Sequence, residues 1–175
     1  MLINIASLNV CTFFPPVFSP PIDVEQPDRG DNEKIEDYLE RKVSEKITLL
    51  KEGLNKSINS DARHGECLFF TLPEFFWNVS PYAIWSENDL AYVAEYFMNN
   101  LSAVITDIIT SYPQDRFGKI VLLAGSAGTL IQTTNNYDAI NYLLAIDNFN
   151  FKADGSHSIS MWPKTEVAAN DYGFP

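Results

Sequence analysis

The sequence predicts an α/β fold with at least some parallel strand pairing. Two long stretches repeat apolar residues at the three-and-four spacing of an amphipathic helix. Around them lie short, uninterrupted apolar runs of strand length. The two kinds of segment alternate along the chain, and fully apolar strands alternating with helices belong to sheets with parallel pairs. The 175 residues set the scale of one domain with a sizeable core.

Residues 2–10 (LINIASLNV) read as a first buried strand. Residues 15–32 carry Pro15, Pro16, Pro20, Pro21 and Pro27. Proline has no N–H to donate and a fixed φ, so this stretch reads as an extended surface loop. Ile35, Leu39, Val43, Ile47, Leu50, Leu54 and Ile58 then form one helical stripe. Asp31 or Asn32 is the expected cap, and Gly53 the point where the helix frays. Residues 67–72 (CLFFTL) are a strand ended by Pro73. A single second helix is expected over residues 87–111, with Leu90, Val93, Phe97, Leu101, Val104, Ile105 and Ile108 as its stripe and Pro113 closing it. Strands follow at 119–125 (KIVLLAG) and 140–147 (INYLLAID), separated by a turn at 133–137, with a last strand near 158–162.

Composition narrows the partners. Hydrophobic residues make up 46% of the chain, which excludes wholesale disorder. Lys and Arg number 12 against 23 Asp and Glu, a net charge of -11. That field repels phosphate backbones and anionic lipid, so neither nucleic acid nor a membrane is an expected partner. Cys11 and Cys67 are too few for a disulfide scaffold. The apolar N-terminus lacks a basic region and carries Asn4 and Asn9, reading as a strand rather than a signal peptide. A reducing, cytoplasmic setting is expected.

Three residues stand out as candidates for chemistry. Glu74 follows Pro73 at the carboxyl end of an apolar strand, where open α/β sheets gather ligands. Phe75, Phe76 and Trp77 come next, and a carboxylate desolvated by aromatics is suited to proton transfer. Lys164, after Trp162 and Pro163, also follows an apolar strand and could steady an oxyanion. Ser126 sits in AGSAG, one residue short of a G-x-S-x-G nucleophile elbow, with Asp138 or Asp147 and then His157 following in triad order. Against it, residues 129–136 (TLIQTTNN) make a poor helix, and an elbow serine must open one. His64 and His157 have no partners at metal-ligand spacing, and no glycine-rich phosphate cradle occurs, so no metal or cofactor is expected. Cys67 reads as a small buried hydrophobe.

At LFFTLPEFF (68–76) the chain resembles the nitrilase superfamily of carbon–nitrogen hydrolases, whose apolar strand ends in Pro-Glu and an aromatic. Three further matches follow in order. KIVLLAGSAG (119–128) resembles the strand ending in Gly-Ser, INYLLAID (140–147) the strand carrying an Asn, here Asn141, and WPKTEV (162–167) the segment bearing the family's lysine. The resemblance covers nearly all of this chain but only the first half to two thirds of the family domain. It implies part of an α-β-β-α sandwich and a Glu–Lys–Cys triad, with Glu74 as general base and Lys164 steadying the tetrahedral intermediate.

The family's nucleophile lies a few dozen residues beyond the lysine. This chain has eleven residues after Lys164, and neither Cys11 nor Cys67 follows it. The expectation is therefore a single, C-terminally incomplete domain over 1–175. Its complete form would hydrolyse a small amide or nitrile without cofactor. The alternatives are a degenerate copy that works by binding, or a serine hydrolase using Ser126. An incomplete sandwich should leave an unpaired sheet edge and an uncovered apolar patch, inviting a homo-oligomer or a partner segment.

Overall fold

A computed structural model describes residues 2–10, 29–60, 66–134 and 136–164. Cys11, His64 and the expected loop as far as residue 28 lie outside them. Among the described residues, five strands form one mixed sheet in the order β1-β2-β3-β4-β5. They are β1 (Ile3–Ser7), β2 (Cys67–Thr71), β3 (Lys119–Gln132), β4 (Tyr137–Phe151) and β5 (His157–Pro163). The helices are α1 (Ile35–Ile58), α2 (Glu87–Asn99), α3 (Leu101–Thr110) and the short α4 (Gln114–Phe117). None of them is long and apolar enough to cross a membrane.

The first three strands are parallel, and β4 and β5 return antiparallel. Parallel strands need long crossovers, and these are almost always right-handed. Strands added in one direction through such crossovers put every helix on the same face. The burial pattern follows. Leu68, Phe70, Ile120, Leu122, Leu144 and Ile146 are buried in one core with Leu39, Leu50 and Leu54 of α1 and Phe97, Leu101 and Ile105 of α2 and α3. Their neighbours in sequence, which point to the other face, include Phe69, Val121, Leu123 and Leu143, all only half-buried.

Several local expectations need correction. The cap of α1 is neither Asp31 nor Asn32. The helix starts at Ile35 behind Lys34, which makes no side-chain cap bond. Glu36 and Asp37 in its first turn favour the N-terminal dipole instead. Nor does α1 fray at Gly53. A Cβ there would come within 3.1 Å of both Leu8 and Phe70, so the glycine lets the helix lie close to the sheet. The second helix is broken rather than continuous. Asn100, with φ -105°, separates α2 from α3. Asn competes for backbone hydrogen bonds and bends helices readily. The ladder still crosses the break, since Asn100 donates to the Tyr96 carbonyl and accepts from the Val104 N–H.

β3 and β4 run well past their apolar stretches. They pair from Val121 opposite Asp147 to Gln132 opposite Tyr137, so each keeps the other's polar end extended. The expected turn closes them, with the Thr133 N–H donating to the Asn136 carbonyl at 2.7 Å. Residues 29–32 do not float as a loop. The Arg29 guanidinium donates to the Ala83 carbonyl at 2.7 Å and to Asp89 at 2.6 Å, and lies 4.0 Å from the Trp85 ring. Burial opposes the Asp89 charge, but hydrogen bonds from Arg29 and the Trp85 N–H outweigh it and hold the carboxyl below its usual range.

One buried amide joins three elements. Asn148 Oδ1 accepts from the Ile120 N–H at 2.8 Å, and its Nδ2 donates to the carbonyls of Tyr112 and Gly118 at 2.7 and 2.8 Å. Asn148→Leu should keep the branched outline of the side chain and strand three backbone groups, lowering unfolding free energy by about 3 kcal/mol in urea titrations.

Tyr142 is likewise buried, and its hydroxyl donates to the Phe97 carbonyl. Burial pushes that hydroxyl up to about 12, against about 10 in an unfolded chain. Above pH 10 the unfolded chain loses this proton first, so stability should fall as the pH rises from 10 to 12. Tyr142→Phe should remove about 1.4 kcal/mol of that loss by pH 11, about half of the whole. Chemical denaturation of both proteins at pH 8 and 11 measures the difference.

Candidate active site

The site is built by the turn that leaves β2. The strand ends at Thr71, and the Leu72 N–H still reaches the Leu123 carbonyl at 2.9 Å. Beyond Pro73 the chain turns sharply, with Phe75 in the left-handed region at φ 57°. A non-glycine residue there carries strain and must be held by its surroundings. The holding is visible. The Phe75 N–H donates to Ser126 Oγ at 2.9 Å, and the Trp77 indole N–H to the Ala124 carbonyl at 2.6 Å. Asn78 Oδ1 accepts from the Gly128 N–H at 2.8 Å. The turn is thus stitched to residues 124–128 of β3.

β3 makes room by a bulge between Leu123 and Ser126. Gly125 sits in it at φ 69°. A Cβ at this position would stand 2.7 Å from the Pro73 carbonyl and 2.9 Å from Phe76 Cβ. So the glycine of AGSAG shapes a bulge, not a nucleophile elbow.

This turn sends Phe75, Phe76 and Trp77 into the protein and leaves Glu74 outside. The aromatics are all buried, whereas the Glu74 side chain is 45% exposed. The expectation of a carboxylate desolvated by its three aromatic neighbours is therefore corrected. What Glu74 meets is Lys164, whose ammonium donates to Glu74 Oε1 at 2.9 Å. Lys164 is placed by the sheet: its backbone N–H donates to the Asn141 carbonyl at 2.7 Å, one step beyond β5. The same ammonium lies 6.0 Å from the Phe75 ring.

Asn141 completes the cluster. It is only 3% exposed, and its Nδ2 donates to Glu74 Oε1 at 3.0 Å. Both donors grip one carboxylate oxygen, and Oε2 makes no hydrogen bond among the described residues. An ion pair this exposed contributes about 0–1 kcal/mol to stability. Beside it opens a cavity of about 260 Å³, with Leu72, Leu143 and Trp162 as apolar walls and Ser126, Asn141, Glu74 and Lys164 as polar ones. The sequence had flagged Glu74 and Lys164 by position and Asn141 by motif. The wall residues Leu143 and Trp162 were missed, although both face the cavity simply by alternating along β4 and β5 with Asn141 and Lys164.

The serine arrangement does not assemble. Ser126 lies within β3, opens no helix, and spends its Oγ on the Phe75 N–H. It faces Leu143 across the ladder. Asp147 is four residues along β4 and Asp138 five the other way, about 13 and 17 Å off. His157 Nδ1 bonds the Asp147 carbonyl, not a carboxylate. Cys67 is buried at the opposite end of β2 from Glu74. No three His, Cys, Asp or Glu side chains are grouped as metal ligands among the described residues.

Comparison with protein-family models, curated proteins and solved structures finds no match.

Gly125→Ala should strain the bulge and collide with Pro73 and Phe76, destabilising the fold by about 2–4 kcal/mol. A drop of about 4–16 °C in melting temperature is the expected reading.

Proposed function

We propose that this chain is the base-and-cation part of a carbon–nitrogen hydrolase of the nitrilase type, acting on a small amide or nitrile. The observation that carries the proposal is the 2.9 Å contact between Glu74 and Lys164, two side chains ninety residues apart that meet at the mouth of a cavity. In this reading Glu74, held at Oε1, takes a thiol proton on Oε2. The thiolate attacks the amide or nitrile carbon, and Lys164 stabilises the negative charge that builds on the attacked group's oxygen or nitrogen. From an amide, Glu74 returns the proton to the leaving nitrogen and a thioester remains; from a nitrile, the proton goes to the nitrogen of a thioimidate, and a first water adds and expels ammonia to leave the same thioester. Water then cleaves the thioester, releasing the acid and restoring the thiol. The helix layer and sheet are one half of the α-β-β-α sandwich that the reading implies.

The thiol must come from outside the described residues. Cys67, buried at the far end of β2, cannot reach the cavity. This favours a second reading, in which the chain by itself binds a small amide and does not turn it over.

The test uses the polypeptide isolated from its source cells, with its intact mass measured first. On small aliphatic and aromatic amides, Glu74→Gln should lower kcat by about 10²–10⁴. Lys164→Met should lower it by about 10²–10³. Ser126→Ala removes the acceptor of the Phe75 N–H and loosens the turn that aims Glu74, so it should cost less than either, about tenfold. Hydrolysis that survives Glu74→Gln, above all if it disappears with Ser126→Ala, would overturn the proposal. No turnover, with amide binding seen by NMR titration, selects the second reading.

A further inference from the structure

We infer that the sheet face turned away from the helices packs against the same face of a second copy of this chain. Apolar side chains recur on all five strands of this face. Ile3 and Ile5 of β1 are exposed, Ile5 to 79%. Phe69, Val121, Leu123 and Leu143 follow across β2, β3 and β4, and Trp162 of β5 is 54% exposed. Register puts them side by side: Ile5 beside Phe69 beside Val121, and Leu143 beside Trp162. A contiguous apolar surface of this kind marks an interface on a soluble chain.

Charge selects the occupant. The chain carries 12 basic and 23 acidic residues, yet on the paired rows of this face only Lys119 and Asp147 are charged, with Glu74 and Lys164 at its margin. A basic partner drawn by the net charge of -11 would find almost nothing to pair with here. The complementary surface is another sheet face as poor in charge, and a second copy presents one. Face-to-face packing also leaves the acidic helical sides of the two copies farthest apart.

Size agrees. Five strands at about 4.8 Å make a face about 24 Å wide, and five or six residues at about 3.3 Å make it 17–20 Å long. Each copy then offers about 400–500 Å² in plan and more with side-chain relief. The total, about 1,000 Å² or above, meets the lower bound of a specific interface. Two sheets aligned at about 30° would give a four-layer α-β-β-α assembly with a two-fold axis between the sheets. The cavity beside Glu74 and Lys164 opens on this face, so the second sheet would roof it.

The inference rests on the sheet and not on the hydrolase reading, and mass alone reads it without any activity. Sedimentation velocity of the 175-residue chain at about 50 μM should give twice 19.8 kDa. Ile5→Glu alters a side chain the monomer leaves in solvent, so it should not affect folding. It should weaken association by at least about tenfold, and Trp162→Glu should do the same from the opposite side of the face. A 19.8 kDa species at all concentrations up to 100 μM would overturn the inference. So would a dimer that both variants leave intact, or a stable complex in which the face is covered by a different polypeptide.

Discussion

Parallel strands laid down in one direction, each after a right-handed crossover, can clothe only one side of a sheet. Here β1, β2 and β3 are parallel and follow one another across the sheet, and α1, α2 and α3 share one face. The remaining architecture answers to that asymmetry. Gly53 brings α1 down onto Phe70 on the covered side. On the other side the same strands present half-buried apolar residues, and the polar cluster of Glu74, Asn141 and Lys164 stands at the end of that bare face.

The cluster owes its precision to backbone packing more than to charge. A surface ion pair has little energy with which to organise anything. Glu74 is aimed by its neighbours instead: three buried rings pull the following residues inward, and Ser126, Ala124 and Gly128 tie down the resulting strained turn. Gly125 permits the approach. The lysine is aimed by a hydrogen bond of its own backbone to Asn141, the residue whose side chain also holds the glutamate. Two groups far apart in sequence are thus positioned from one strand, β4.

Much of this was legible in the residues. The stripe of α1 and the apolar strand cores reported themselves through periodicity, and strand-end position singled out Glu74 and Lys164. The break at Asn100 was hidden because Phe97 and Leu101 keep the stripe in phase across it. The far half of β3 was hidden because residues 126–129 are small or polar and are held extended by pairing with β4. The direction of Phe75, Phe76 and Trp77 was also unreadable. A run of aromatics says that something is buried, but only the turn decides whether the neighbouring carboxylate is buried too. The role of Asn148 gave no signal, because local sequence does not reveal which distant carbonyls lack donors.

The pairing order of the sheet also has a kinetic meaning. β3, β4 and β5 join through short connections and can zip together locally. β1 meets β2 only after a loop of some sixty residues has closed, and that closure entropy must be overcome before the contact stabilises anything. The antiparallel meander is thus the natural nucleus, with β1 the last strand to dock, which would show as folding φ-values near zero at Ile3 and Ile5. Lys164 and Asn141 would already be neighbours in that nucleus, waiting for Glu74 to arrive with β2. The chemistry of the cluster would then exist only in the finished fold, and a partly folded chain would carry the lysine without its carboxylate.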